Sequence, residues 1–326
     1  MPFPSLGLWD IVKAMWYIIL VLIITFILWN TTLIGYRDRN VEPLTVDESK
    51  VCCEEAKSII MTKEGRQQAI LLVHGFPSTP SVYHYSAERF YEAGLDVYAP
   101  LMPGFGTNPD QFAHTTFTQW FSYLCKYYET LRGQYETLYV LGISMGGMMT
   151  LKLGETYCQS ELKPDKLVTI AAPVVYNSLK DGIITDWKQY ISRTVALFTP
   201  SIGAHVVTGN PKGEDGSEYW YGYGGLFIRP GLSLVHAMKE VRKNLGKITC
   251  PLFSIHDIND QTVPFKNLKI IGREQNSVDF HILETEMDNY NHSKHALLLY
   301  RSIQQSLTDT ILEFLLEKER TNHAQA

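Results

Sequence analysis

The chain has 326 residues, 45% of them hydrophobic and 19% charged, with a formal net charge of −5. That length allows one large core with a smaller insertion. No basic block marks a nucleic-acid binder, and no repeat or low-complexity tract marks a solenoid or a disordered domain.

Residues 14–29 carry no charge. Extended to Ile34, the apolar segment is about 21 residues, or roughly 31 Å as a helix, which matches a bilayer core. Trp9, Trp16 and Tyr17 stand near one end, and Trp29 and Tyr36 near the other, as an aromatic belt would. A cleaved signal peptide normally has a shorter apolar run and a small-x-small site, and none follows Trp29. Residues 1–36 are therefore expected to form a single-pass membrane anchor. Its orientation is not readable, because Lys13 and the terminal amine on one side are balanced by Arg37 and Arg39 on the other, with Asp10 and Asp38 beside them. Residues 37–50 are polar and lack an apolar period, and are expected to be a linker.

From 51 to 326 the chain alternates short apolar runs with helical stretches. Strands are predicted at 69–73, 95–99, 138–141, 167–171, 251–256 and 278–283. Helices are predicted at 81–93, 118–132, from the serine turn to about 157, and at 297–317. This βαβα order, with strands apolar throughout, predicts an α/β fold with a mostly parallel sheet and helices on both faces. Residues 174–247 are too many for an ordinary crossover. They lie outside the carboxyl ends of the strands, where open α/β sheets bind ligands, and are expected to form a helical cap.

Cys52, Cys53, Cys125, Cys158 and Cys250 stand at irregular spacing, with no CxxC pair and no zinc-spaced Cys/His cluster. Free thiols are expected, with a weak lean towards a reducing, cytoplasmic setting. No metal or organic cofactor is implied.

Chemistry is carried by Gly142-Ile143-Ser144-Met145-Gly146. Composition alone supplies such a pattern in roughly one chain in ten, so the context matters more than the pattern. An apolar strand precedes it and a helix follows, and a serine on so sharp a turn stands clear of the sheet edge. A serine hydroxyl also needs a base to take its proton and an acid to orient that base. In this arrangement they follow in the order serine, acid, histidine, each after a strand. Asp257 and Asp260 compete for the acid, and His292 and His295 for the base.

Here the chain resembles the α/β-hydrolases, and within them the small capped carboxylesterases and monoacylglycerol lipases. The resemblance runs from about residue 69 to 316. It is carried by His74-Gly75-Phe76, by Pro103-Gly104-Phe105-Gly106, by the serine turn, and by Ile248-Thr249-Cys250-Pro251. Asp260-Gln261-Thr262-Val263-Pro264 matches the family's Asp-x-x-Val-Pro, and Ser293-Lys294-His295-Ala296 its Ser-x-His. The resemblance thus implies Ser144 as nucleophile, Asp260 as acid and His295 as base. The backbone N–H groups of Met145 and Phe76 are implied as oxyanion donors. Phe105 departs from the family's frequent Gly-His-Gly, which bears on pocket shape. His74 is expected to be structural.

The expected activity is hydrolysis of carboxylic esters, lipid-derived ones such as monoacylglycerols or lysolipids, through an acyl-enzyme. The partners expected are an ester or lipid substrate and a membrane. A thioesterase or acyltransferase would use the same residues, and a silent membrane-bound binding protein would keep the fold alone. Because no motif residue precedes His74, a chain beginning near Arg37 is expected to be soluble and active.

Overall fold

The structure, a computed structural model, describes residues 7–178, 180–184, 187–213, 215–287 and 293–317. Helix α1 (Leu8–Thr32) comes first. The chain then runs through β1 (Ile59–Met61), β2 (Gln68–Val73), α2 (His84–Glu92), β3 (Asp96–Ala99), α3 (Pro109–Phe112) and α4 (Phe117–Arg132). Next come β4 (Thr137–Ile143), α5 (Met145–Tyr157), β5 (Lys166–Ile170), α6 (Gln189–Val195), β6 (Ser201–Val207), β7 (Gly222–Phe227) and α7 (Ile228–Asn244). The last elements are β8 (Leu252–Asp257), α8 (Lys266–Glu274), β9 (Phe280–Thr285) and α9 (Gln304–Leu316).

Seven strands form one sheet in the order β1-β3-β2-β4-β5-β8-β9. All neighbours are parallel except β1, which pairs antiparallel with β3 at the edge. The inner strands β4 and β8 are buried almost end to end, because helices cover both faces and no solvated face calls for alternation. Helix α4 shows how a covering helix is specified. Thr116 and Gln119 form a reciprocal capping box, and Phe117, Trp120, Leu124, Tyr128 and Leu131 recur at helical spacing on its buried face. This is the α/β-hydrolase fold that the sequence predicts.

Differences from the sequence reading are local. Strand β1 and helix α8 were not foreseen. The Gly/Tyr-rich stretch forms β7, which pairs with β6, so the insertion between β5 and β8 holds a small antiparallel sheet beside α6 and α7. The long C-terminal helix is a 3₁₀ turn at Leu297–Leu299 followed by α9.

Cys158 and Cys250 are joined in a disulfide across 92 residues, with Cα atoms 5.4 Å apart, where free thiols were expected. The end of α5 and the approach to β8 meet in space although they are remote in sequence. Two of the five thiols are thereby consumed, which removes the ground for a reducing compartment.

Helix α1 is long and apolar enough to cross a membrane, and a signal sequence meets the same description. Its last turn is bonded to the insertion. Asn30 and Thr194 of α6 exchange two hydrogen bonds, Nδ2 to Oγ1 at 2.9 Å and Thr194 N–H to Oδ1 at 3.0 Å. Arg193 Nη1 donates to the carbonyls of Trp29 and Ile34, and Lys239 Nζ to those of Thr31 and Thr32. Cations thus satisfy carbonyls that a helix C-terminus leaves without partners. These bonds were not anticipated, since the sequence reading treated the segment as a detached anchor.

Backbones approach very closely at the serine turn. A Cβ on Gly146 would stand 1.8 Å from the Val73 carbonyl oxygen, and one on Gly142 would stand 2.1 Å from the oxygen of Gly146. Backbone on either side cannot yield as a side chain would. Gly146→Ala is expected to cost about 3 kcal/mol or more, read as a lowered urea midpoint or a failure to fold. An unshifted midpoint would contradict this packing.

Candidate active site

Strand β4 delivers Ser144 at the point where the strand order reverses, with β2 and β5 as its neighbours. Ser144 has φ 57° and ψ −121°, a strained conformation for a residue with a Cβ. Its N–H donates to the Ile170 carbonyl at 2.8 Å and its carbonyl accepts from Met148 at 3.0 Å. Both bonds hold the side chain off the sheet edge at the N-terminus of α5.

The loop after β2 lies beside it, where a Cβ on Gly75 would be 3.2 Å from that of Ser144. The N–H groups of Phe76 and Met145 have no hydrogen-bond acceptor among the described residues. Beneath them His74 is fully buried. Its Nε2 accepts the Met102 N–H at 3.0 Å, so Nδ1 carries the proton and donates to Gly75 O at 3.0 Å. Burial lowers its pKa to about 4, so it is a neutral strut, as the sequence reading expects. Phe105 stacks edge-on against His74 at 4.9 Å, and against Phe112 and Trp120. The position where the resemblance implies a second histidine is thus filled by an aromatic cluster.

His295 Nδ1 lies 2.8 Å from Asp260 Oδ2. A carboxylate only accepts, so Nδ1 carries the proton and Nε2 is left as the basic nitrogen. The two loops are tied together by the Gln261 N–H donating to the Ser293 carbonyl at 2.9 Å. No hydrogen bond joins Ser144 Oγ to His295; such bonds commonly tighten only when substrate arrives.

Burial alone would raise the pKa of the Asp260 carboxyl, but hydrogen bonds from His256 and His295 outweigh it and hold the pKa at about 2. The Thr262 and Val263 N–H groups also donate to Oδ1, at 2.7 and 2.9 Å.

The competing Asp257 is occupied elsewhere. Its oxygens accept from the N–H groups of Asn259 and Met287 and from the Thr285 hydroxyl, tying β8 to β9. His292 lies outside the described residues.

His256 was not singled out from sequence. Its Nε2 stands 3.0 Å from the Val263 carbonyl and 3.2 Å from Asp260 Oδ2, both acceptors, so it too carries a proton towards the acid. The available signal was its place four residues before Asp260, at the end of a strand.

Ser144 opens into a cavity of about 410 Å³ between the sheet and the insertion. Its wall is mainly apolar, with Val175, Ile191, Leu226, Leu234 and Met238 among its residues. No group of three or more His, Cys, Asp or Glu residues that could hold a metal occurs among the described residues.

Fold and site together define a serine hydrolase of the α/β-hydrolase class. The chain belongs to the family described as serine aminopeptidase, S33, whose pattern matches residues 64–299. It is 29% identical over 216 residues to a thermostable monoacylglycerol lipase of Bacillus sp. (strain H-257), covering 66% of this chain and 79% of that one. It is 33% identical over 247 residues to a carboxylesterase of Bacillus subtilis (strain 168), covering 73% and 88%. Among solved structures, a metagenome-derived lipolytic enzyme superposes with a TM-score of 0.65 at 20% identity, covering 80% of this chain and 98% of that one. The chain is thus a serine hydrolase of the lipase and esterase type.

The double hold on Asp260 generates a prediction. Because its pKa is depressed, its stabilising contribution is complete above the unfolded value of about 3.9 and is lost only as pH falls through about 2. Replacing His256 with Ala removes one donor and lets that pKa rise. The acid-unfolding transition should then move to higher pH, and kcat on a short ester should fall roughly tenfold, the worth of one hydrogen bond to a charged group. Unchanged acid unfolding would show that His256 does not support the acid.

Proposed function

We propose that the protein hydrolyses lipid-derived carboxylic esters, such as monoacylglycerols or lysolipids, through an acyl-enzyme formed on Ser144. One observation carries this reading: the strained serine borders an apolar cavity, and the Asp260–His295 pair stands on adjoining loops. Nε2 of His295 takes the proton of Ser144 Oγ as that oxygen attacks the ester carbonyl. The N–H groups of Phe76 and Met145 receive the negative charge that develops on the carbonyl oxygen. The same nitrogen returns the proton to the leaving alcohol, and water repeats the cycle to release the acid. Asp260 remains ionised throughout and holds the imidazole in the useful tautomer.

The apolar wall suits an acyl chain, and its volume falls within the range of ligand pockets. The same relatives, a monoacylglycerol lipase and a carboxylesterase, support the substrate class. Helix α1 is read as a single-pass anchor, which brings the cavity to a surface rich in lipid esters.

Ser144→Ala, Asp260→Asn and His295→Ala should each lower kcat on a p-nitrophenyl ester on the order of 10⁴-fold or more, with the fold retained. Ser144→Ala should also lose fluorophosphonate labelling. Near-normal turnover in His295→Ala would refute the assignment of the base.

Met238→Trp should fill part of the cavity. It is expected to depress kcat/KM on long-chain esters tenfold or more while sparing the acetate, and equal losses on both would argue against an acyl pocket.

A chain beginning at Arg37 lacks the acceptors of Arg193 and Lys239 and the partner of Thr194. It should keep activity on short esters, but with a lowered thermal midpoint and increased proteolysis within 187–213. Wild-type resistance would show that the α1 bonds contribute nothing to the insertion.

A further inference from the structure

A second cavity, of about 400 Å³, lies where α1 meets the insertion and remains unexplained by the chemistry at Ser144. Arg37, Arg39, Arg193 and Arg229 all line it, and no carboxylate does. None of the four forms an ion pair among the described residues. The nearest acid in sequence, Asp38, does not line the cavity: its Oδ2 accepts the N–H and hydroxyl of Thr118, and its carboxylate also lies beside the Tyr36 hydroxyl behind the wall.

Two of the guanidinium groups are held in place. Arg193 is bonded through Nη1 to the end of α1 and stacks 3.6 Å over the Trp29 ring. Arg229 Nε donates to the Ala196 carbonyl, and its Nη1 lies 3.4 Å from His114 Nδ1, which must be the accepting nitrogen of a neutral ring. Arg37 and Arg39 are exposed.

Most neutral donors on the wall are already used, which leaves the Nε2–H of His114. Asn40 Nδ2, Thr115 Oγ1 and Thr116 Oγ1 donate to the carbonyls of His114, Phe112 and Asn40. What the cavity offers a ligand is therefore positive charge in fork geometry rather than hydroxyl recognition. Four like charges around one space repel one another, and an anion between them reverses the sign of that energy.

We propose that this cavity binds a phosphate group, carried either by an anionic lipid headgroup or by a soluble phosphate. Its position favours the lipid. Trp29, Gly35 and Tyr36 on its wall mark the point where the apolar run of α1 ends, which is the depth of headgroups for a helix that crosses a bilayer. The phosphate proposal itself does not depend on the reaction at Ser144.

The test uses the full chain in neutral detergent, with binding followed by the ligand-induced rise in thermal midpoint. The ligands are dihexanoyl phosphatidic acid, dihexanoyl phosphatidylcholine and inorganic phosphate. Phosphatidic acid should bind about tenfold or more tightly than the zwitterionic lipid, as charge-assisted hydrogen bonds require.

Arg37→Gln/Arg39→Gln, which breaks no hydrogen bond among the described residues, should weaken that binding about tenfold while leaving short-ester hydrolysis unchanged. Arg229→Gln provides an independent variant. Inorganic phosphate binding as tightly as phosphatidic acid would assign the site to a soluble ligand, and phosphate binding far more weakly would assign it to a lipid. Equal binding of the two lipids without any phosphate effect, or unchanged affinity in both variants, would overturn the proposal.

Discussion

The structure depends on the closeness of two backbones. Strand β4 must turn into α5 with room for no side chain at Gly146, because the Val73 carbonyl of β2 occupies that space. The same carbonyl accepts the Tyr83 hydroxyl at 2.7 Å, so the loop after β2 is secured from its other side. At this contact Ser144 takes its unusual backbone conformation at the start of α5, and the loop that carries Phe76 passes beside it, with a Cβ on Gly75 3.2 Å from that of Ser144. A looser turn would let the serine relax into the sheet edge.

Electrostatics completes what packing begins. A carboxyl group as enclosed as Asp260 would ordinarily resist ionisation. It is ionised because two imidazoles and two backbone N–H groups surround it, and one of those imidazoles is the catalytic candidate. His256 makes the arrangement asymmetric. It shares its proton between the acid and the Val263 carbonyl and does not line the serine cavity, so it stabilises the charge without competing for the chemistry.

The parts of this arrangement that were legible in sequence are those encoded locally. The serine turn shows itself through glycine spacing and the strand and helix on either side. The sheet shows itself through apolar runs, although β1, with three residues, is too short to stand out. Asp257 and Asp260 could not be separated by residue type or period, because the difference lies in partners such as Thr285, Met287 and His295 on other elements. The Cys158–Cys250 bridge and the bonds from α1 to Arg193, Thr194 and Lys239 were invisible for the same reason. Each joins residues from about 90 to more than 200 positions apart, and no local pattern announces them.

The position of α6 has a mechanical consequence. One side of this short helix, with Ile191, Ser192 and Val195, lines the serine cavity, while Arg193 and Thr194 are bonded to α1. Because the same seven residues serve both contacts, a load on α1 is passed directly to the wall of the serine cavity.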